Sequence, residues 1–198
     1  MEAAFTAITN AHKKLCPLLT EAELDFLKTG LTISKFKPKQ FYLEANTVQK
    51  AIGFVFSGLV RSYYVDENGN EKTVNFISEN KYATHYTSFV KQAPSKYHFQ
   101  CIEPTIMVNL PYEHIQEGYN SFPNVERYGR LIAEAILHMQ QKRIESFLFD
   151  NAETRYLNFI KENPELFNRI SISDLSSYLG IERQSLTRIR KKLVQTTF

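Results

Sequence analysis

ISISDLSSYLGIERQSLTRIRKKL, residues Ile170 to Leu193, is the stretch on which the reading of this chain turns. Ser173 followed by Asp174 reads as an N-cap with an acidic first-turn residue, which satisfies free backbone N–H groups and complements the positive end of a helix. Gly180 stands where that helix has to stop, because a sharp turn calls for a residue that adopts positive φ without a Cβ penalty. A second helix then runs from about Arg183 to Val194. Leu175 and Leu179 face inward from the first helix, Ile181 from the turn, and Leu186 and Ile189 from the second, with Ser176 as the small residue at the crossing. Apolar, small, apolar, glycine, apolar, apolar at these offsets is the helix-turn-helix pattern, whose second helix enters the DNA major groove.

The outward residues of the second helix carry chemistry suited to that placement. Arg183, Gln184 and Arg188 lie where base edges come within reach, arginine pairing with guanine O6 and N7 and glutamine with adenine N6 and N7. Ser185, Thr187, Arg190, Lys191 and Lys192, with Ser173 at the start of the first helix, suit phosphate oxygens, contacts that position a protein without reading sequence. Charge is distributed accordingly. From residue 181 onward five basic residues face Glu182 alone, a net +4, so a chain of overall charge +3 leaves −1 for its first 180 residues. A nearly neutral body with a basic end points to a polyanion as partner. A solvated helix face explains the charge, but not the charge, the apolar offsets and Gly180 together.

Upstream the periodicity changes. Pro123 opens a helix that no other proline interrupts before Pro164. Val125, Gly129, Ile132, Ile136 and Met139 alternate at spacings of four and three, the seam of a coiled coil, with Gly129 as a point of close approach. Ala133, Leu137, Ile144 and Leu148 form a second stripe, expected to lie on the chain's own β domain. A helix of about 25 residues spans roughly 37 Å, long enough for a dimer spine between two domains. Before it, short β-type runs cover 31–36, 41–45, 52–56, 59–65, 72–77, 97–102 and 105–110, after a helical opening at 21–29. Lys37-Pro38, Ser57-Gly58, Asn68-Gly69 and Glu103-Pro104 punctuate them, and Asn68-Gly69 favours positive φ at both positions. Many short strands without alternating helices imply a sandwich, jelly roll or small barrel.

Composition narrows the class further. The chain has 198 residues, 43% apolar and 23% charged, ordinary values for a globular fold of one large or two modest domains. No stretch approaches the roughly 20 apolar residues of a membrane helix, and the N-terminal residues lack the order of a signal peptide. Cys16 and Cys101 cannot supply a disulfide framework, a four-thiolate iron–sulfur cluster or a closed zinc site. None of the five histidines forms an H-x-H or H-x-x-x-H pair, so no metal site is expected. No serine, cysteine or acid pair has a catalytic context, and the chain reads as a non-enzyme.

The chain resembles the catabolite-activator (Crp/Fnr) family of bacterial transcription regulators over nearly its whole length. FVFSGLVRSYYVDENGNEKTVNFISEN (54–80) is similar to the centre of the family's β-roll, the helix from Val125 to Asp150 to its dimerisation helix, and AETRYLNFIKENPEL to the joining segment. The reader stretch opens with Arg183, Gln184 and Arg188 where the family has Arg, Glu and Arg. The glutamine makes a changed half-site the expectation. The resemblance implies an α+β fold: a cyclic-nucleotide-binding-type β-roll (jelly roll) at 1–122, a dimerisation helix at 123–150 and a helix-turn-helix domain at 151–198. It implies double-stranded DNA, a second copy of the chain and RNA polymerase as partners, with a cytoplasmic location and no membrane. The family's wing after the recognition helix has little room here, six residues following Lys192.

The family's cyclic-nucleotide cassette, a Gly-Glu pair followed by Arg and Ser or Thr, is missing. No glycine lies between Gly69 and Gly118, and no arginine between Arg61 and Arg127. Cyclic AMP is therefore not expected as effector, and no cofactor is implied. A different effector pocket is expected at His85, Tyr86, Ser95 and Lys96, where aromatic residues surround one cationic side chain. The competing reading is a jelly-roll small-molecule sensor or metalloenzyme without DNA-reading function.

Overall fold

A computed structural model describes the backbone of residues 1–196 and the side chains of residues 1–193. Thr197 and Phe198, the end of the expected 151–198 domain, lie outside the described residues. Two compact units emerge from the packing. The first comprises residues 1–62 and 76–139, and the second residues 63–75 and 140–198. The division falls inside the long helix rather than at the expected 122/123 and 150/151, and it groups a hairpin tip with the C-terminal helices.

Eight strands lie among the described residues, two of them reaching into the second unit at 63–75. These are β1 (Thr32–Phe36), β2 (Phe41–Leu43), β3 (Ala51–Ser57), β4 (Val60–Val65), β5 (Glu71–Ile77), β6 (Tyr82–Ala83), β7 (His98–Cys101) and β8 (Thr105–Pro111). One sheet runs β1-β8-β3-β6 and the other β2-β7-β4-β5. β1 pairs antiparallel with β8 (Ile33 opposite Val108), and β8 with β3 (Val108 opposite Phe54). All seven β-type runs of the sequence are strands. β6 was not foreseen, being only two residues long and held in place by pairing with β3.

Alternation along β3 and β8 explains the layering. Val55 and Met107 point into the roll with Leu43, Val60, Phe99 and Cys101. Ile52, Phe54, Val108 and Leu110 point to the opposite face and pack under helices. A sheet covered on both sides reads as continuous apolar sequence, as 51–56 does. The covering helices are α1 (Glu2–Leu15), α3 (Tyr86–Val90) and α4 (Tyr112–Ser121), none of which the strand-oriented reading anticipated. α1 sets Ala4, Ile8 and His12 on one buried stripe at spacing four. α2 (Glu21–Thr29) begins with a capping box in which Thr20 Oγ1 accepts from the Glu23 N–H while Glu23 accepts from the Thr20 N–H.

The long helix α5 (Pro123–Phe149) reverses the expected assignment of its faces. Val125 is 1% exposed and packs with Leu24 and Leu27 of α2 and with Cys16 and Leu19 of the segment before it. A Cβ on Gly129 would fall 2.2 Å from the Tyr119 hydroxyl, so its close approach is to α4 of the same chain. Val125 and Gly129 are thus spent on the internal core and cannot form an intersubunit seam. Ile132 and Ile136 are half-buried and Met139 is exposed. The second stripe, expected to be internal, is the open one: Leu137 is 66%, Ile144 60% and Leu148 71% exposed.

The Asn68-Gly69 turn also differs in detail. Only Gly69 has positive φ (+81°). The Gly69 N–H donates to the Asp66 carbonyl, the Asp66 N–H to the Asn70 carbonyl, and Asp66 Oδ1 accepts from the Asn68 and Asn70 N–H groups. This is a type I turn closed by a glycine bulge and an aspartate, a three-residue alternative to the two-residue form. The hydrogen bonds, chiefly that from the Asn70 N–H, hold the Asp66 carboxyl below its usual range despite desolvation.

Candidate nucleic-acid interface

The second unit is assembled from α6 (Ala152–Glu162), a 3-10 turn (Pro164–Leu166), α7 (Ile172–Leu179), α8 (Arg183–Thr196) and the end of α5. Ser171, not Ser173, is the N-cap of α7. Its hydroxyl accepts from the Asp174 N–H at 3.0 Å and donates to Asp174 Oδ2 at 2.7 Å. The serine three residues before the acid closes the cap, which spacing alone shows. Ser173 sits one position inside the helix, exposed.

At the other end of α7, Gly180 adopts the left-handed conformation (φ 64°, ψ 39°). Its N–H donates to the Ser177 carbonyl and that of Ile181 to the Ser176 carbonyl, the paired closure of a Schellman motif. Leu175, Ser176, Leu179 and Leu186 are buried, so the apolar offsets form the joint between α7 and α8. Ser176 donates back to the Ser173 carbonyl, which removes its hydroxyl from solvent where the helices meet.

Arginines fasten this joint to α5. The Arg143 guanidinium lies 3.7 Å from the centroid of the Tyr178 ring, donates to the Tyr178 carbonyl and also covers Phe147. Arg155 donates to the carbonyls of Leu179 and Asp150. These are the orphan carbonyls at the ends of α7 and α5, satisfied by a planar cation that offers several donors at once. The hairpin tip meets α7 as well: Ser177 Oγ accepts from the Thr73 N–H at 2.9 Å and donates to the Glu71 carbonyl at 3.1 Å.

α8 divides the basic residues into two sets. Arg183, Gln184, Thr187, Arg188 and Lys191 are all exposed, and at 100° per residue they fall within about 140° of arc. Arg188 reaches Ser185 Oγ at 3.2 Å, and the Thr187 hydroxyl donates to the Arg183 carbonyl, leaving its lone pairs and methyl outward. Arg190, expected at phosphate, is half-buried with its guanidinium 4.9 Å from the Phe167 ring centroid. It also touches Tyr156, whose hydroxyl burial pushes up in pKa while Arg190 opposes the shift. Lys192 pairs with Glu153 at 2.8 Å across to α6. Phe167, Arg143 and Arg155 escaped the sequence reading because nothing local marks an arginine that satisfies a distant carbonyl.

In the first unit the expected effector residues do not converge. His85 Nδ1 is 3.1 Å from Ser95 Oγ, its ring lies against Tyr97, and Ser95 is 1% exposed with its hydroxyl donating to the Tyr97 carbonyl. Burial, and then the nearby charge of Lys96, lowers the His85 pKa. Ser95 therefore locks a loop, Lys96 is exposed, and Tyr86 lines a separate cavity. Among the described residues no three metal-ligating side chains cluster, and no helix is long and apolar enough to cross a membrane.

No protein-family model matches the chain. Curated relatives do. The fumarate nitrate reduction regulatory protein of Klebsiella oxytoca is 23% identical over 190 residues, covering 86% of this chain and 72% of the relative. The Escherichia coli K12 fumarate and nitrate reduction regulatory protein is 22% identical over the same coverage. Among solved structures, FixK2 from Bradyrhizobium japonicum superposes with a TM-score of 0.73 at 16% identity, over 84% of this chain and 86% of that one. The c-di-GMP responsive global regulator CLP of Xanthomonas campestris gives 0.70 at 12% identity, over 90% and 93%. The Thermus thermophilus catabolite activator protein gives 0.58 at 16%, over 92% and 87%. With a two-sheet roll, a long helix and a basic two-helix joint in this order, the chain is similar in sequence and in fold to transcription regulators of the Crp/Fnr type.

Proposed function

We propose that this regulator works in the cytoplasm as a homodimer that reads a two-fold symmetric operator through α8 and meets RNA polymerase there, without gating by cyclic AMP. The observation that carries the reading is the exposed arc of α8, where three basic residues, Gln184 and Thr187 lie on one side of a helix fixed by a left-handed glycine. In this arrangement Arg183, Gln184 and Arg188 address base edges. Thr187 and Lys191 address phosphates, with Ser173 and Ser185 at the margins. Arg190 and Lys192 serve the unit's own packing first.

Dimerisation is assigned to α5 along Leu137, Ile144 and Leu148, beside Ile132, Ile136 and Met139. Large apolar side chains this exposed on one helix are covered most economically by the same face of a second copy, since an isologous contact repeats the stripe against itself. Independence from cyclic AMP rests on the cassette stretch, where neither glycine nor arginine is present to hold a cyclic phosphate.

Selection from a random-sequence duplex library by the full chain, with and without millimolar cyclic AMP, tests the reading. The expected result is one enriched motif with two inverted half-sites centred about 34 Å apart, unchanged by the nucleotide. Failure to enrich any motif, or enrichment only with cyclic AMP, contradicts it.

A further inference from the structure

Between α3, α4 and the first turns of α5 lies a cavity of about 290 Å3, which also touches α2, β3, β6 and β8. It is separate from His85 and Ser95, whose polar groups are committed to each other. Its wall is mostly aliphatic and aromatic, with polarity supplied by the hydroxyls of Tyr82, Tyr86, Tyr112, Tyr119 and Tyr128 and the amide of Gln116. No Lys, Arg, His, Asp or Glu lines it among the described residues.

Tyr82, Tyr86, Tyr119 and Tyr128 are held as protonated donors. Burial pushes the pKa of Tyr82 and of Tyr119 up to about 12, that of Tyr128 well above the ordinary phenol value, and that of Tyr86 upward. An anion or cation entering here would lose its hydration and find no opposite charge, a cost of several kcal/mol. Charged ligands, cyclic nucleotides included, are thus excluded by the wall itself.

One polar feature is incomplete. Tyr82 Oη and Tyr128 Oη are 2.7 Å apart, and one hydrogen bond between two hydroxyls uses only one of their two protons. Among the described residues neither hydroxyl has a second partner. A ligand oxygen placed against the pair would accept the remaining proton and leave its apolar body against Ile52, Phe89, Leu110 and Ile132. The space equals that of about ten waters, but water needs two to four polar partners each, and most of this wall offers none.

We propose that the cavity binds a small neutral aromatic molecule of about eight to ten non-hydrogen atoms carrying one hydroxyl or carbonyl oxygen. Tyr82 and Tyr128 hold the oxygen, and the apolar wall holds the ring. Val90, on the rim and 51% exposed, borders the way in. Tyr128, Gly129 and Ile132 belong to α5, so occupancy touches the same helix that carries the exposed apolar stripe.

The test uses the full chain and fluorine NMR with 4-fluorophenol as probe, fluorobenzene and 4-fluorobenzoate as comparisons. Expected are saturable one-to-one binding of 4-fluorophenol with Kd of about 1 mM or tighter, weaker binding of fluorobenzene and none of the benzoate. Val90→Trp, a surface change at the rim, should weaken 4-fluorophenol at least about tenfold. Tyr82→Phe combined with Tyr128→Phe keeps the ring volume and should abolish the preference for 4-fluorophenol over fluorobenzene. Absence of saturation up to about 10 mM, unchanged binding by Val90→Trp, equal binding of the benzoate, or a preference that survives the double change would each overturn the proposal. DNA does not enter the readout, so its failure leaves the reading of α8 untouched.

Discussion

Replacing Gly180 by Ala should loosen the joint of α7 and α8 without touching any side chain proposed to face DNA. Gly180 holds φ at 64°, where a residue with a Cβ costs about 1–2 kcal/mol. The new Cβ would also lie 2.6 Å from Cε1 of Phe147. Phe147 is 44% exposed, so its ring can swing outward rather than forcing the backbone apart. In doing so it leaves the guanidinium groups of Arg143 and Arg155, now 4.6 and 5.1 Å from its centroid, each worth about 0.5–1 kcal/mol. The sum is about 2–4 kcal/mol, and about 2–3 kcal/mol once the arginines partly follow the ring. Native-state hydrogen exchange is the suitable assay, because it reports the opening of α7 and α8 separately from the β-roll. Their amides should exchange roughly 30- to 150-fold faster in Gly180→Ala. Gly180→Asn should fall in between, since Asn tolerates the left-handed region but brings the same Cβ. Exchange of α8 within twofold of the wild type in Gly180→Ala would refute the reasoning.

Glutamate at Leu137 or Ile144 should give monomers in ultracentrifugation at micromolar concentration, whereas Val125→Glu should instead unfold the α1–α2–α5 packing; a monomeric wild type would sink the dimer assignment. Arg190→Ala should cost the reader about 1 kcal/mol of stability through Phe167, while Lys191→Ala should lower the salt dependence of DNA binding by about one unit of slope. Acid should release α1. His12 is 1% exposed, its Nε2 has no hydrogen-bond partner, and burial lowers its pKa from 6.5 to about 4. The unfolded chain therefore takes up this proton first. The stability present above about pH 6.5 falls as pH drops toward 4, by about 3 kcal/mol in all. Urea midpoints at several pH values should show this loss in the wild type and not in His12→Phe.

The joint of α7 and α8 was legible because its signals are local. Gly180, the inward leucines and the basic outer positions lie within one stretch, and the structure keeps them in one joint. The strands were legible for a similar reason, turn residues bounding each run, while β6 and α3 are too short to show a period. The spine's length could be read, but not which face turns inward. Its two stripes are adjacent and similarly apolar, and the choice is made by Cys16, Leu19 and Leu24, residues more than 100 positions away in the chain. His85 and Tyr86 show the same limit. Neighbours in sequence, they serve different surroundings, one hydrogen-bonded to Ser95 and the other lining the tyrosine cavity. Arg190 and Lys191 are equally basic, but Phe167 and Tyr156 claim the first and solvent the second.

The most direct test of α8 as the reading element is a base-substitution profile of the selected operator, measured for the wild type, Arg188→Ala and Arg190→Ala. Arg188→Ala should abolish discrimination at one base pair in each half-site, a loss of about 1–3 kcal/mol there, with the remaining positions unchanged. Arg190→Ala should leave the profile intact. A profile that Arg188→Ala does not alter at any position would contradict the assignment of α8 as the surface that reads DNA.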